Sequence, residues 1–160
     1  MGWLFFAVAV VVLLAVWVTW TANRIDRLDE RVRSARAALD AQLVRRAAAA
    51  QALADEPDLL DPGLRAALRV AAHDALGADA AGREAAENDL GRLLAQVDAA
   101  GVPGDLREAT SRVGLARRFY NDAVRDLRDL RGQRVPRLFR LGARRPVPSF
   151  FEIDDRLRMI

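Results

Sequence analysis

Side chains able to do chemistry are few and scattered in this chain. His73 is the single histidine, beside Asp74, and the 160 residues include no cysteine. A zinc centre needs several nitrogen or sulfur ligands at matched geometry, so one imidazole beside one carboxylate reads as an exposed helix residue. Serine occurs only at positions 34, 111 and 149. None falls in a nucleophile-elbow or Ser-x-x-Lys pattern. The pairs Asp126–Asp129 and Glu84–Glu87 stand at i,i+3 spacing. Paired carboxylates can share acid–base work, but these lie among arginines on faces predicted to be exposed, where solvated ion pairs are expected. Gly101-x-x-Gly104 follows no strand and carries no phosphate-loop pattern. The expectation is therefore a protein without catalytic residues, cofactor or metal ligands. It does not read as an enzyme.

The sharper signal is electrostatic. Arg134, Arg137, Arg140, Arg144 and Arg145 fall between Gly132 and Arg145 with no acid among them, whereas residues 57–104 hold 4 basic and 8 acidic groups. Leu138 and Phe139 interleave with those arginines, a pattern that suits contact with an anionic lipid surface or a partner. The alternative is that these apolar residues, with Phe150 and Phe151, fold back onto the helices. Arginines at 125, 128, 131, 134, 137 and 140 recur every three residues, a step that drifts by about 60° on an α-helix and so forms no single face. With no aromatic stacking platform either, nucleic acid is not an expected partner. Arginine abundance by itself says little: all 25 basic residues are arginine and 31 positions are alanine, as a GC-rich coding bias would produce.

The elements that position these residues begin with a change of solvent. The first 23 residues carry no charged side chain and hold all three tryptophans, and the formal net charge of +3 arises wholly beyond them. From Met1 to Ala22 a helix would span about 33 Å, enough for a hydrocarbon core of about 30 Å. Trp3 stands at one end, Trp17 and Trp20 at the other, where aromatic rings favour the headgroup level. No basic residue precedes the apolar run and Trp20 disfavours cleavage after Ala22, so residues 1–22 read as an uncleaved signal anchor. Arg24, Arg27, Arg31, Arg33 and Arg36 follow it, which predicts an outside N-terminus and a cytoplasmic remainder in the cell membrane.

Beyond the anchor, apolar residues recur in steps of three and four through Ile25, Leu28, Val32, Ala35, Leu39, Leu43, Ala47, Ala50 and Leu53, the stripe of an amphipathic helix. The spacing predicts helices over about 23–56, 61–76, 82–99 and 105–131, the first continuing out of the membrane. Asp61-Pro62 opens the second, with Leu64, Leu68, Ala71, Ala72 and Leu76 inward. The expected fold is all-α: a transmembrane helix running into an antiparallel four-helix bundle over 23–131, followed by an irregular Arg/Pro-rich tail over 132–160. An even number of helices returns that tail to the membrane. In such a bundle Asp40 lies level with Asn121 and can pair with Arg117 or Arg118, so Asp40, Arg117, Arg118 and Asn121 are the candidate interhelical polar contacts.

Two stretches resemble the LemA family of bacterial membrane-anchored proteins: Ala37-Ala38-Leu39-Asp40-Ala41-Gln42-Leu43-Val44-Arg45-Arg46, and Ala116-Arg117-Arg118-Phe119-Tyr120-Asn121-Asp122-Ala123-Val124 with Val135-Pro136 and Leu138-Phe139 after it. The segment Pro146-Val147-Pro148-Ser149-Phe150-Phe151-Glu152 is similar to that family's closing stretch. The chain departs from the family at Arg36, where a tryptophan is usual, and over Ala47–Gln51. The resemblance implies an anchored antiparallel four-helix bundle with no established catalytic activity, and a partner near membrane-protein quality control. The expected function is a non-catalytic scaffold or adaptor recruiting a membrane or cytoplasmic protein at the inner membrane face. The alternative is an anionic-lipid-binding protein acting on the bilayer through its basic tail. Self-association into a homo-oligomer is left open.

Overall fold

The computed structural model describes residues 1–98, 101–133 and 146–154. Among these the chain is all-helical: α1 (Gly2–Asp55), α2 (Pro62–Gly77), α3 (Arg83–Leu94) and α4 (Gly104–Gly132), with no strand. α1 runs 54 residues without a break, because no proline and no glycine occurs between Trp3 and Asp55. Its N-terminal part is long and apolar enough to cross a membrane, and none of its most apolar 18 residues is buried. A core helix of similar composition would be covered by its neighbours. Here Trp3, Phe5 and Leu13 are exposed. The hydroxyls of Thr19 and Thr21 donate to the carbonyls of Ala15 and Trp17 at 2.8 and 2.9 Å, so neither brings an unsatisfied polar group to that stretch. Arg24 lies over the Trp20 ring, 5.6 Å from its centroid, where the apolar run gives way to charge.

α1 stops where the sequence requires it, before Pro57. Arg69 of α2 covers the exposed helix end: its Nη2 donates to the Ala54 carbonyl at 3.0 Å and its Nε to Asp55 at 3.1 Å, satisfying a carbonyl that α1 leaves open. Asp61 caps α2 as predicted, its Oδ2 accepting from the Gly63 and Leu64 N–H groups at 2.9 and 3.3 Å with Pro62 in the first turn. α3 is shorter than the predicted 82–99 and ends at Leu94. There the hydrogen bonds shorten from four-residue to three-residue steps, Gln96 N–H to Leu93 O and Val97 N–H to Leu94 O. The tighter winding carries Val97 inward, and Val102 beyond it is buried too.

Two compact units divide the chain, and α1 and α4 each contribute to both. In the unit of residues 1–34 and 122–149, Ile25 and Val32 of α1 and Ala123, Val124, Leu127 and Leu130 of α4 are buried. Arg131 Nη2 donates to Asp29 at 2.8 Å, and Arg31 to Asp126 at 3.3 Å. The unit of residues 35–121 and 150–160 has a core of alanine and leucine: Ala47, Ala50, Leu53 and Ala54 from α1, Leu68, Ala72 and Ala75 from α2, Leu90 and Leu94 from α3, Leu106 from α4. α2 and α3 pack against each other within it. Small side chains let helices approach closely, so burial here comes from many modest contacts and few large ones.

Candidate functional site

Two polar constructions are built into the second unit. The first joins α1 to α3. Arg46 occupies the inward stripe of α1, three residues from Leu43 and four from Ala50. Its Nη2 donates to Glu87 Oε2 and, at 3.3 Å, to the Glu87 carbonyl. The side chains are 4% and 0% exposed, so this is an ion pair withdrawn from water. Glu87 Oε1 and Arg46 Nε are buried without a hydrogen-bond partner among the described residues. Burial pushes the Glu87 carboxyl above the usual glutamate range, and the charges of Arg46 and Arg83 offset only part of that. Glu87 was predicted to be solvated beside Glu84. The structure corrects this, because Glu87 lies three residues before Leu90 and seven before Leu94 and therefore shares their buried face.

The second construction holds an extended segment. Residues 150–154 carry no internal ladder, so their main-chain groups need partners from elsewhere. Asn121 of α4 supplies two: its Nδ2 donates to the Phe151 carbonyl at 3.1 Å and its Oδ1 accepts from the Phe151 N–H at 2.9 Å. One amide thus meets both polar groups of one residue, as an opposed residue does in an antiparallel pair. Arg117 Nη1 donates to the Ile153 carbonyl at 3.2 Å. From α3, Glu84 Oε1 accepts from the Glu152 N–H at 3.2 Å and Asn88 Oδ1 from the Asp154 N–H at 2.8 Å. Burial alternates along the segment: Phe151 and Ile153 are buried, Glu152 and Asp154 exposed, the two-residue period of an extended chain. The Arg36 guanidinium stands 5.0 Å from the Phe151 ring centroid and 5.6 Å from that of Tyr120, within cation–π range of both.

The candidate interhelical contacts fall out differently from prediction. Arg117 and Asn121 bond to the main chain of this segment. Asp40 receives Arg36 Nε of its own helix at 3.3 Å, an i,i+4 partner that needs no alignment of two helices. Arg118 is exposed. The arginine-rich candidates Arg134, Arg137, Leu138, Phe139, Arg140, Arg144 and Arg145 lie outside the described residues. In the first unit, Arg128 donates twice to the Pro148 carbonyl, at 2.7 and 3.0 Å, and Arg131 to that of Pro146 at 3.3 Å. His73 is exposed on α2. Among the described residues no three His, Asp or Glu side chains converge as a metal site would require.

A shallow cleft of about 720 Å³ opens between α2 and α3, its lining including Ala67, Val70, Ala71, Leu93, Asp74 and Asp89. Sequence reasoning missed Arg46, Glu87 and Asn88 as buried or bridging groups. For Arg46 and Glu87 the available signal was their place on inward helical faces, outweighed there by the expectation that charge belongs in water. No family model matches the chain, nor does any curated protein or solved structure.

Proposed function

We propose that the protein is a single-pass, membrane-anchored, non-catalytic adaptor that presents a cytoplasmic helical domain for recognition by another protein, with its N-terminus outside. The observation that carries this is α1 itself, one unbroken helix whose apolar first half is bare and whose second half supplies a buried stripe. Such a helix couples the bilayer to a folded domain without a loop. Charge asymmetry supports the orientation, since no basic residue precedes the apolar run and five arginines follow it closely. The ties of Asp29 to Arg131 and Arg31 to Asp126 run in opposite order along α1 and α4. That ordering supports an antiparallel bundle. Asp29 stands seven residues past Ala22, so the end of α4 falls about 10 Å along α1 from the apolar run. The resemblance to LemA proteins directs the search for a partner toward membrane-protein quality control.

Proximity labelling from a C-terminal fusion of the full chain in living cells tests this. Reproducible labelling of cytoplasmic or inner-membrane proteins is expected. Labelling confined to secreted or outward-facing proteins would overturn the orientation. A hydrolytic or transferase activity that copurifies with the chain through successive columns would overturn the non-catalytic assignment.

A further inference from the structure

The segment over 150–154 covers a helical surface to which it is tied largely through its main chain. Five hydrogen bonds run between side chains and its main chain: Asn121 to both groups of Phe151, Arg117 to the Ile153 carbonyl, and Glu84 and Asn88 to the N–H groups of Glu152 and Asp154. Main-chain groups are common to every peptide, so these contacts do not depend on which residues follow one another. Selectivity comes from the two buried side chains. Phe151 lies against the Arg36 guanidinium at 5.0 Å and Ile153 is buried two residues on. Main-chain bonds for affinity and alternate side chains for specificity are how an extended peptide is recognised at a sheet edge. Here a helical surface provides the same combination, with an asparagine standing in for the missing strand.

We propose that this surface is a docking site for an extended peptide from a partner protein, with an aromatic residue followed two positions later by an aliphatic one, and that the chain's own Phe151–Ile153 occupies it in cis. The site deepens the adaptor function proposed above and rests on it, by naming where the partner binds and what kind of segment it presents. Covalent attachment makes cis occupation intramolecular, with an effective concentration on the order of millimolar. A partner segment therefore competes with the cis segment, and the unoccupied site binds it more tightly than the wild-type protein does.

The test uses the full chain in nanodiscs and a fluorescent nonapeptide of the sequence Pro146–Asp154, read by anisotropy. A Phe151→Ala/Ile153→Ala protein, with its cis anchors removed, should bind the peptide saturably and at least about tenfold more tightly than wild type. Adding Asn121→Ala to that protein should weaken binding about tenfold, since two hydrogen bonds to the aromatic position are lost. A peptide with alanine at both anchor positions should not bind. Equal binding by wild type and the double variant would overturn the site, as would absent binding by a double variant that keeps wild-type helix content. Loss of helix content in the double variant would overturn it too, because the segment would then be part of the core and not an exchangeable occupant. Any of these failures leaves the proximity-labelling result intact, so loss of the site and loss of the adaptor function remain distinguishable.

Discussion

The two halves of α1 obey the same backbone geometry and meet opposite surroundings. Residues Trp3 to Val18 present aliphatic and aromatic side chains all round, and the most apolar 18-residue stretch of α1 is uncovered by protein. Residues from Arg24 onward divide into a wet face and a stripe in which Leu39, Leu43, Ala47 and Ala50 are wholly buried. The first half bears no internal charge, whereas the second places Arg46 inside the protein against Glu87. What decides the difference is periodicity. A helix apolar on every face needs an apolar medium, while one with a single apolar stripe needs only a neighbour.

Substitutions that swap these surroundings should have the largest effect. Val11→Arg with Leu14→Arg places two charges where translocon insertion penalises each by about 2.5–3.5 kcal/mol. We expect the protein to leave the membrane fraction. Retention in membranes after a carbonate wash would show that the bare half of α1 is not the anchor. The next largest effect belongs to the second half. Arg46→Met leaves Glu87 buried without its cation and should destabilise the domain by about 3–5 kcal/mol in denaturant titrations of detergent-solubilised protein, while Arg46→Met/Glu87→Leu should recover most of that loss. A double variant as unstable as the single one would show that the pair is needed for more than mutual neutralisation.

Leu43→Ala removes an apolar side chain that is fully buried and should cost about 2–5 kcal/mol without changing membrane retention. The same change at Leu13, which is exposed, should leave domain unfolding unaltered. The smallest effect is a pH dependence. Glu87 has its folded-state pKa raised by burial, so the native state holds this proton more tightly than the unfolded chain does. Its contribution is present in full below the ordinary glutamate value of about 4.3 and is lost as pH rises through the folded value. Glu87→Gln should flatten that slope. An unchanged pH profile for the variant would assign the slope to other groups.

Most of the scaffold could be read from residue order. Asp61-Pro62 announced the start of α2, Pro57 the end of α1, and the three-and-four spacing from Ile25 to Leu53 the face that α1 buries. These are local rules, decided within one or two helical turns. Glu87 and Arg46 escaped because each is a charged residue on an inward position, and only the meeting of two helices decides whether such a group finds a partner or solvent. Asn121 was singled out as polar and near an interface, but its partner, the main chain of Phe151, lies thirty residues away. Nothing in the spacing around Asn121 specifies which backbone arrives there. Phe150 and Phe151 were legible only as apolar residues able to fold back onto the helices, and the alternation that buries Phe151 and Ile153 and exposes Glu152 and Asp154 emerges only in the structure.

The absence of native cysteine allows the central claim, that α1 crosses the membrane and carries a cytoplasmic domain, to be tested with one reagent. Gly2→Cys and Ala52→Cys place single thiols at the two ends of α1, both at exposed positions. In intact cells a membrane-impermeant maleimide should label the cysteine at position 2 and should reach the one at position 52 only after permeabilisation. Labelling of both sites in intact cells, or of position 52 alone, would contradict the account.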